Sequence, residues 1–118
     1  MPNIFEIVRN GECLLVIPAI DLGETAFELH RMDFAGVLDA LDDASVRNLV
    51  MDFHKTQQFG STALGFFVKL WKRMCDRNGR MAFCNVSAHQ KEILQVTKLD
   101  HLWHVCETRD KALQAVRV

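Results

Sequence analysis

The sequence predicts an α/β sandwich built on a mixed sheet. Two apolar segments at 4–8 and 13–17 flank Asn10-Gly11, which reads as a hairpin turn. Later, short runs rich in β-formers alternate with amphipathic stretches of about ten to sixteen residues, the pattern of strands joined through helices. Roughly four to five strands and about four helices result.

Element by element, Ile4 to Val8 forms the first strand, and Cys13 to Ile17 (CLLVI) the second, stopped by Pro18. From Asp33, the residues Phe34, Val37, Leu38 and Leu41 recur at helical spacing while Asp39, Asp42 and Asp43 lie on other faces, which makes an acidic amphipathic helix. Val46 to Phe53 (VRNLVMDF) reads as a buried central strand. From Ser61 to Arg77, Leu64, Phe67, Val68, Trp71, Met74 and Cys75 form a helical stripe with Lys69, Lys72, Arg73 and Arg77 off it, and Asn78-Gly79 ends the helix. Arg80 to Val86 is another buried strand, and Ser87 caps a helix carrying Ile93, Leu94 and Val96. A short strand around Leu102 to Cys106 and a helix from Thr108 to Val116 finish the chain.

At 118 residues the chain is the size of one compact domain, 1–118, without repeat or linker. A composition 49% hydrophobic and 25% charged excludes a disordered chain. No run reaches the roughly 20 apolar residues of a membrane span, so no membrane insertion is expected. The stretch MPNIFEIVRNGE lacks the basic start and apolar block of a signal peptide, and the expected location is cytoplasmic. Cys13, Cys75, Cys84 and Cys106 form no C-x-x-C pair and read as reduced core thiols. Residues 1–60 carry 4 Lys+Arg against 10 Asp+Glu, and residues 61–118 carry 10 against 5. Solvated helix faces account for this asymmetry, with steering of a charged protein partner as the alternative. Nucleic acid is not expected, because the basic residues are not interleaved with aromatics and the net charge is only -1.

Enzyme signatures fail on spacing. A P-loop needs lysine after its last glycine, and Gly65 precedes Phe66. A nucleophile elbow needs glycines two residues either side of its serine, where Ser61 has Phe59 and Ala63. His54 leaves open a serine, histidine and aspartate meeting in space. His101 and His104 form an H-x-x-H pair near Cys106, but in LDHLWHVC, a strand or turn, that spacing does not put two imidazoles on one face, and neither metal nor other cofactor is expected. Ser61 itself is either the N-cap of the helix that runs to Arg77, or, with Gly60 as the cap, a hydroxyl free in the first turn where a phosphate is tolerated.

The stretch from Asn48 to Trp103, NLVMDFHKTQQFGSTALGFF onward, resembles the STAS domain, the module of anti-sigma factor antagonists and of the cytoplasmic tails of sulfate transporters. The likeness covers essentially the whole chain and implies helices packed mainly on one face of the sheet. In that family a strand ending in aspartate, here VMDF with Asp52, leads to an Asp-Ser-Ser-Gly loop whose first serine is phosphorylated. Gly60, Ser61, Thr62 and Ala63 stand at those four positions, so the resemblance implies Ser61 as the phosphorylated residue and Thr62 as the second candidate. Gly60 replaces the acid and Ala63 the glycine. Asp21 resembles the acidic residue after the second strand, and Asn85-Val86-Ser87 the loop after the fourth.

The resemblance implies a non-enzymatic regulator. Unphosphorylated, it binds an anti-sigma factor, a serine kinase of the histidine-kinase-like ATPase type, and so releases a sigma factor. Phosphate on Ser61 reverses the association, and a phosphatase is a further implied partner. The implied docking surface comprises Asp21, Phe59, Gly60, Ser61, Thr62, Ala63, Asn85 and Ser87. With Gly60 in place of the acid, the alternative is a constitutive STAS adaptor in a signalling or transporter complex, with Ser61 only capping its helix.

Overall fold

The structure, a computed structural model, describes residues 3–117. Strands β1 (Phe5–Asn10), β2 (Cys13–Pro18), β3 (Asn48–Asp52), β4 (Met81–Cys84) and β5 (His104–Cys106) lie side by side in chain order. β1 pairs antiparallel with β2, and every later pairing is parallel. The hairpin pairs Asn10 with Cys13, so its turn is Gly11-Glu12, one residue later than expected. Gly11 there adopts φ +61°, the left-handed region that glycine enters without penalty.

The central strands β2, β3 and β4 are buried at every position, which is why they read as unbroken apolar runs. Their alternation sends Leu14, Val16, Leu49, Met51, Met81 and Phe83 to one face and Cys13, Leu15, Ile17, Val50, Ala82 and Cys84 to the other. The first face, rich in large side chains, is covered by helices α1 (Glu24–Leu29), α2 (Arg31–Leu41), α3 (Ser61–Cys75) and α4 (Ala88–Val96). The second, lined by smaller residues, takes α5 (Arg109–Arg117) through Ala112, Leu113 and Val116.

α1 is a helix that the apolar pattern does not announce: it is six residues long and buries one of them, Ala26. In α2 the expected stripe holds, with Phe34, Val37 and Leu41 buried. In α3 the buried face is Ala63, Phe66, Phe67, Leu70 and Met74, turned one row from the expected stripe; Leu64 and Trp71 are half-buried and Cys75 is exposed. Cys75 is therefore not a core thiol, whereas Cys13 and Cys84 are. After α3, Asn78 takes the left-handed conformation and Gly79 meets the Arg47 carbonyl so closely that a Cβ would stand 1.8 Å from its oxygen. The Leu99–His101 segment is a 3-10 turn, so the expected strand from Leu102 shrinks to β5.

The two oppositely charged halves of the chain meet along the partly exposed seam between α2 and α3. Arg73 of α3 bonds the Leu38 carbonyl and the Asp42 carboxylate, and Arg77 bonds the Asp43 and Val46 carbonyls. Cations at the C-terminal end of α2 suit its dipole and its unpaired carbonyls. Part of the charge asymmetry is thereby spent on packing α2 against α3.

Candidate functional site

In the parallel part of the sheet, the C-terminal ends of β2, β3 and β4 lie at one edge, where α/β sheets carry their sites. Three loops leave this edge: 19–23, 53–60 and 85–87. They contain every residue of the implied docking surface except those in the first turn of α3.

The middle loop is held on both sides. Thr56 folds back on the Phe53 carbonyl through its N–H (2.9 Å) and its hydroxyl (3.0 Å). Gln90 of α4 donates to the Thr56 hydroxyl at 2.8 Å. Ser87 is the N-cap of α4, completing a capping box with Gln90, and its hydroxyl also donates to the Gln57 carbonyl at 2.6 Å. From the other side, Asp21 accepts the N–H groups of Gln57 (2.8 Å) and Gln58 (3.3 Å). The Leu22 carbonyl accepts the Gly60 N–H at 2.9 Å.

Two residues of the implied surface face inward. Phe59 is 4% exposed, its ring centred 5.6 Å from Phe53 and 5.2 Å from Phe67, and Ala63 is 2% exposed. Their side chains support the loop from beneath, because a large aromatic at a strand-to-helix connection gains most by joining the adjacent aromatic cluster.

Gly60 is the N-cap of α3, with φ -92° and ψ 179°, and Ser61 is the first helical residue. Ser61 therefore does not cap the helix. Its exposed hydroxyl donates to Glu24 Oε1 at 3.1 Å. The same oxygen accepts the Thr62 N–H at 3.1 Å, and Glu24 Oε2 accepts the Thr62 hydroxyl. The acid that satisfies this helix start thus comes from α1, 37 residues earlier, where no motif points to it. The Thr62 hydroxyl, the Thr62 N–H and the Ser61 hydroxyl together hold the Glu24 carboxyl below its usual range. A Cβ on Gly60 would lie 3.2 Å from Glu24 Oε1, so the glycine leaves room for this carboxylate.

Behind the surface, Asp52 at the end of β3 has a side chain 1% exposed. It accepts from the Asn85 amide (3.0 Å), the His54 N–H (3.0 Å) and Arg109 Nε of α5 (2.8 Å), and it bonds His54 Nδ1 at 3.0 Å. Burial raises its pKa, but these hydrogen bonds, led by Asn85, outweigh that and leave it lowered. Asn85 adopts φ +56°, which an asparagine tolerates, and the bond to Asp52 pins the third loop to β3. The His54 ring is bonded to Asp52 and the Ser61 hydroxyl to Glu24, so the hydrogen bonding does not join a serine, histidine and aspartate into a triad.

The STAS domain profile matches residues 6–112, from the first strand into the last helix. The chain belongs to the STAS domain family. An anti-sigma-factor antagonist (STAS) domain protein from Planctomyces limnophilus is 30% identical, with 97% of this chain and 98% of that one superposing at a TM-score of 0.84. An anti-sigma factor antagonist from Mycobacterium paratuberculosis shares the fold at 16% identity and a TM-score of 0.79, over 97% and 93% of the two chains. The Bacillus cell fate determinant SpoIIAA in its phosphorylated form superposes at 0.70 with 17% identity, over 93% and 96%. The mixed five-stranded sheet, with four helices on one face and one on the other, is thus this STAS domain's inherited frame. Among the described residues no helix is long and apolar enough to cross a membrane.

Proposed function

We propose that this STAS domain is an anti-sigma factor antagonist that binds a serine-kinase anti-sigma factor of the histidine-kinase-like ATPase type, and that phosphorylation of Ser61 reverses binding. The observation that carries this reading is the exposed Ser61 hydroxyl in the first turn of α3, at the edge where Asp21, Asn85 and Ser87 converge. Thr62 is half-buried and gives Glu24 both its N–H and its hydroxyl, so Ser61 is the more accessible acceptor. A phosphate there adds nearly two negative charges to the docking face, enough to repel an acidic partner or break a desolvated contact without refolding the sheet. Phe59 and Ala63 contribute by holding the loop, and a phosphatase returns Ser61 to its binding form.

The test is to incubate the protein with the cognate kinase and ATP and measure intact mass and partner affinity. A gain of one phosphate, lost in Ser61→Ala, together with weak binding by Ser61→Asp, is the expected result. An unchanged mass, with both variants binding like the parent, would leave a constitutive adaptor in a signalling or transporter complex. That second reading is favoured by the bond from Ser61 to Glu24, which engages the hydroxyl within the fold.

A further inference from the structure

Segments 21–24 and 57–62 are laced together in step. Asp21 holds the Gln57 and Gln58 N–H groups, the Leu22 carbonyl holds the Gly60 N–H, and Glu24 holds Ser61 and Thr62. The first two rungs are made from groups that chemistry at Ser61 does not touch. The third is three bonds to one carboxylate: two come from Thr62, and one, from the Ser61 hydroxyl, depends on the proton that chemistry at Ser61 removes.

We propose that Glu24 is the gate of the Ser61 site: its carboxylate holds the unmodified hydroxyl, and a phosphoryl group on Ser61 expels it, opening the third rung and releasing the start of α1. The gate rests on the proposal that Ser61 is the modified residue, and it adds what that modification does inside the molecule. In the transfer, the bond from Ser61 Oγ to phosphorus forms, the bond from the γ-phosphorus of ATP to the departing ADP breaks, and the hydroxyl proton passes to a base of the kinase. Oγ is then an ester oxygen without a proton. In the unmodified protein it lies 3.1 Å from Glu24 Oε1, so after transfer two acceptors face each other and nearly two new negative charges adjoin a carboxylate.

Movement is confined to the start of α1, because its middle is held by buried Ala26 and by Phe27, whose ring lies 4.7 Å from Phe34. The helix is six residues long, and its N-cap Gly23 offers no side-chain cap bond. So short a helix does not persist without its tertiary contacts. Gly60 fits the same picture: any side chain there would crowd the carboxylate that does the gating.

The test needs no kinase. Phosphoserine is installed at position 61 by genetic encoding, and the Glu24 carboxyl is followed by carbon-13 NMR through an acid titration, with amide exchange read across α1. In the unmodified protein Glu24 should titrate below the ordinary glutamate range; with phosphoserine it should titrate within or above that range, and the α1 amides should exchange about fivefold faster or more. In Glu24→Ala, phosphoserine should leave α1 exchange unchanged, since the contact to be broken is already gone. The same depressed titration and the same exchange in both forms would overturn the gate. Should the phosphoserine protein not fold, Ser61→Glu makes the same comparison. A kinase that ignores Ser61 would sink the proposed function alone, while an unmoved Glu24 would sink the gate alone.

Discussion

Replacing Phe59 with alanine separates a ring that supports the Ser61 loop from one that contacts a partner. The side chain is 4% exposed and packs against Phe53 and Phe67, which also pack on each other at 5.6 Å. Truncating a buried phenylalanine costs about 3–5 kcal/mol, the spread reflecting how far the cavity collapses. Phe53 and Phe67 are each fully buried among further aromatic rings, so collapse is limited and about 4 kcal/mol is expected. For 118 residues the unfolding entropy is about 0.25 kcal/mol/K, so the melting temperature should fall by about 16 °C. Phe59→Leu keeps most of the volume and should cost about 1 kcal/mol, or roughly 4 °C. Thermal unfolding followed by circular dichroism, with urea titration as a check, measures both. A Phe59→Ala protein melting within about 4 °C of the parent would refute the placement of this ring in the core.

Gly79→Ala places a Cβ against the Arg47 carbonyl, which no side-chain rotation relieves; a loss of about 3 kcal/mol or more is expected in urea unfolding. Asp52→Asn should cost about 1–3 kcal/mol at pH 7 by weakening the bonds from Arg109, Asn85 and His54. Because Asp52 has a lowered pKa when folded, its contribution is present above the unfolded value of about 4 and is lost as pH falls through the folded one. The stability gap between parent and variant, measured by denaturation from pH 7 to pH 3, should therefore narrow on acidification. Gly60→Asp sets a second carboxylate beside Glu24, so its destabilisation should be smaller in a Glu24→Gln background; equal losses in both backgrounds would show that the two positions do not interact. Of the four thiols, Cys75 should alkylate first in the native protein, since it is exposed while burial pushes Cys13 up to about 11 and Cys84 up to about 12; peptide mass mapping after brief iodoacetamide treatment reads the order.

The strands and long helices were legible because burial leaves a period in the sequence. β2, β3 and β4 lie inside on both faces and show as apolar runs, while α2 shows its stripe and Ser87 its N-cap. α3 was legible as a helix but not in its orientation, since a run such as LGFFVKLW offers two adjacent apolar rows and only packing selects the one with Phe66 and Leu70. α1 was not legible, because six residues burying one alanine carry no period.

At the site, the order of residues posed the choice between Gly60 and Ser61 as cap, and the resemblance of residues 60–63 to the family's loop is what pointed to Ser61 and Thr62. Composition and spacing determined that choice no further, since either residue can begin a helix. Tertiary structure decided it by bringing Glu24 across from α1 to Ser61 and Thr62, and by turning Phe59 and Ala63 inward. The physical reason is that local propensity acts over a few residues, whereas a carboxylate 37 residues away enters a helix's first turn only once the sheet has set two loops side by side.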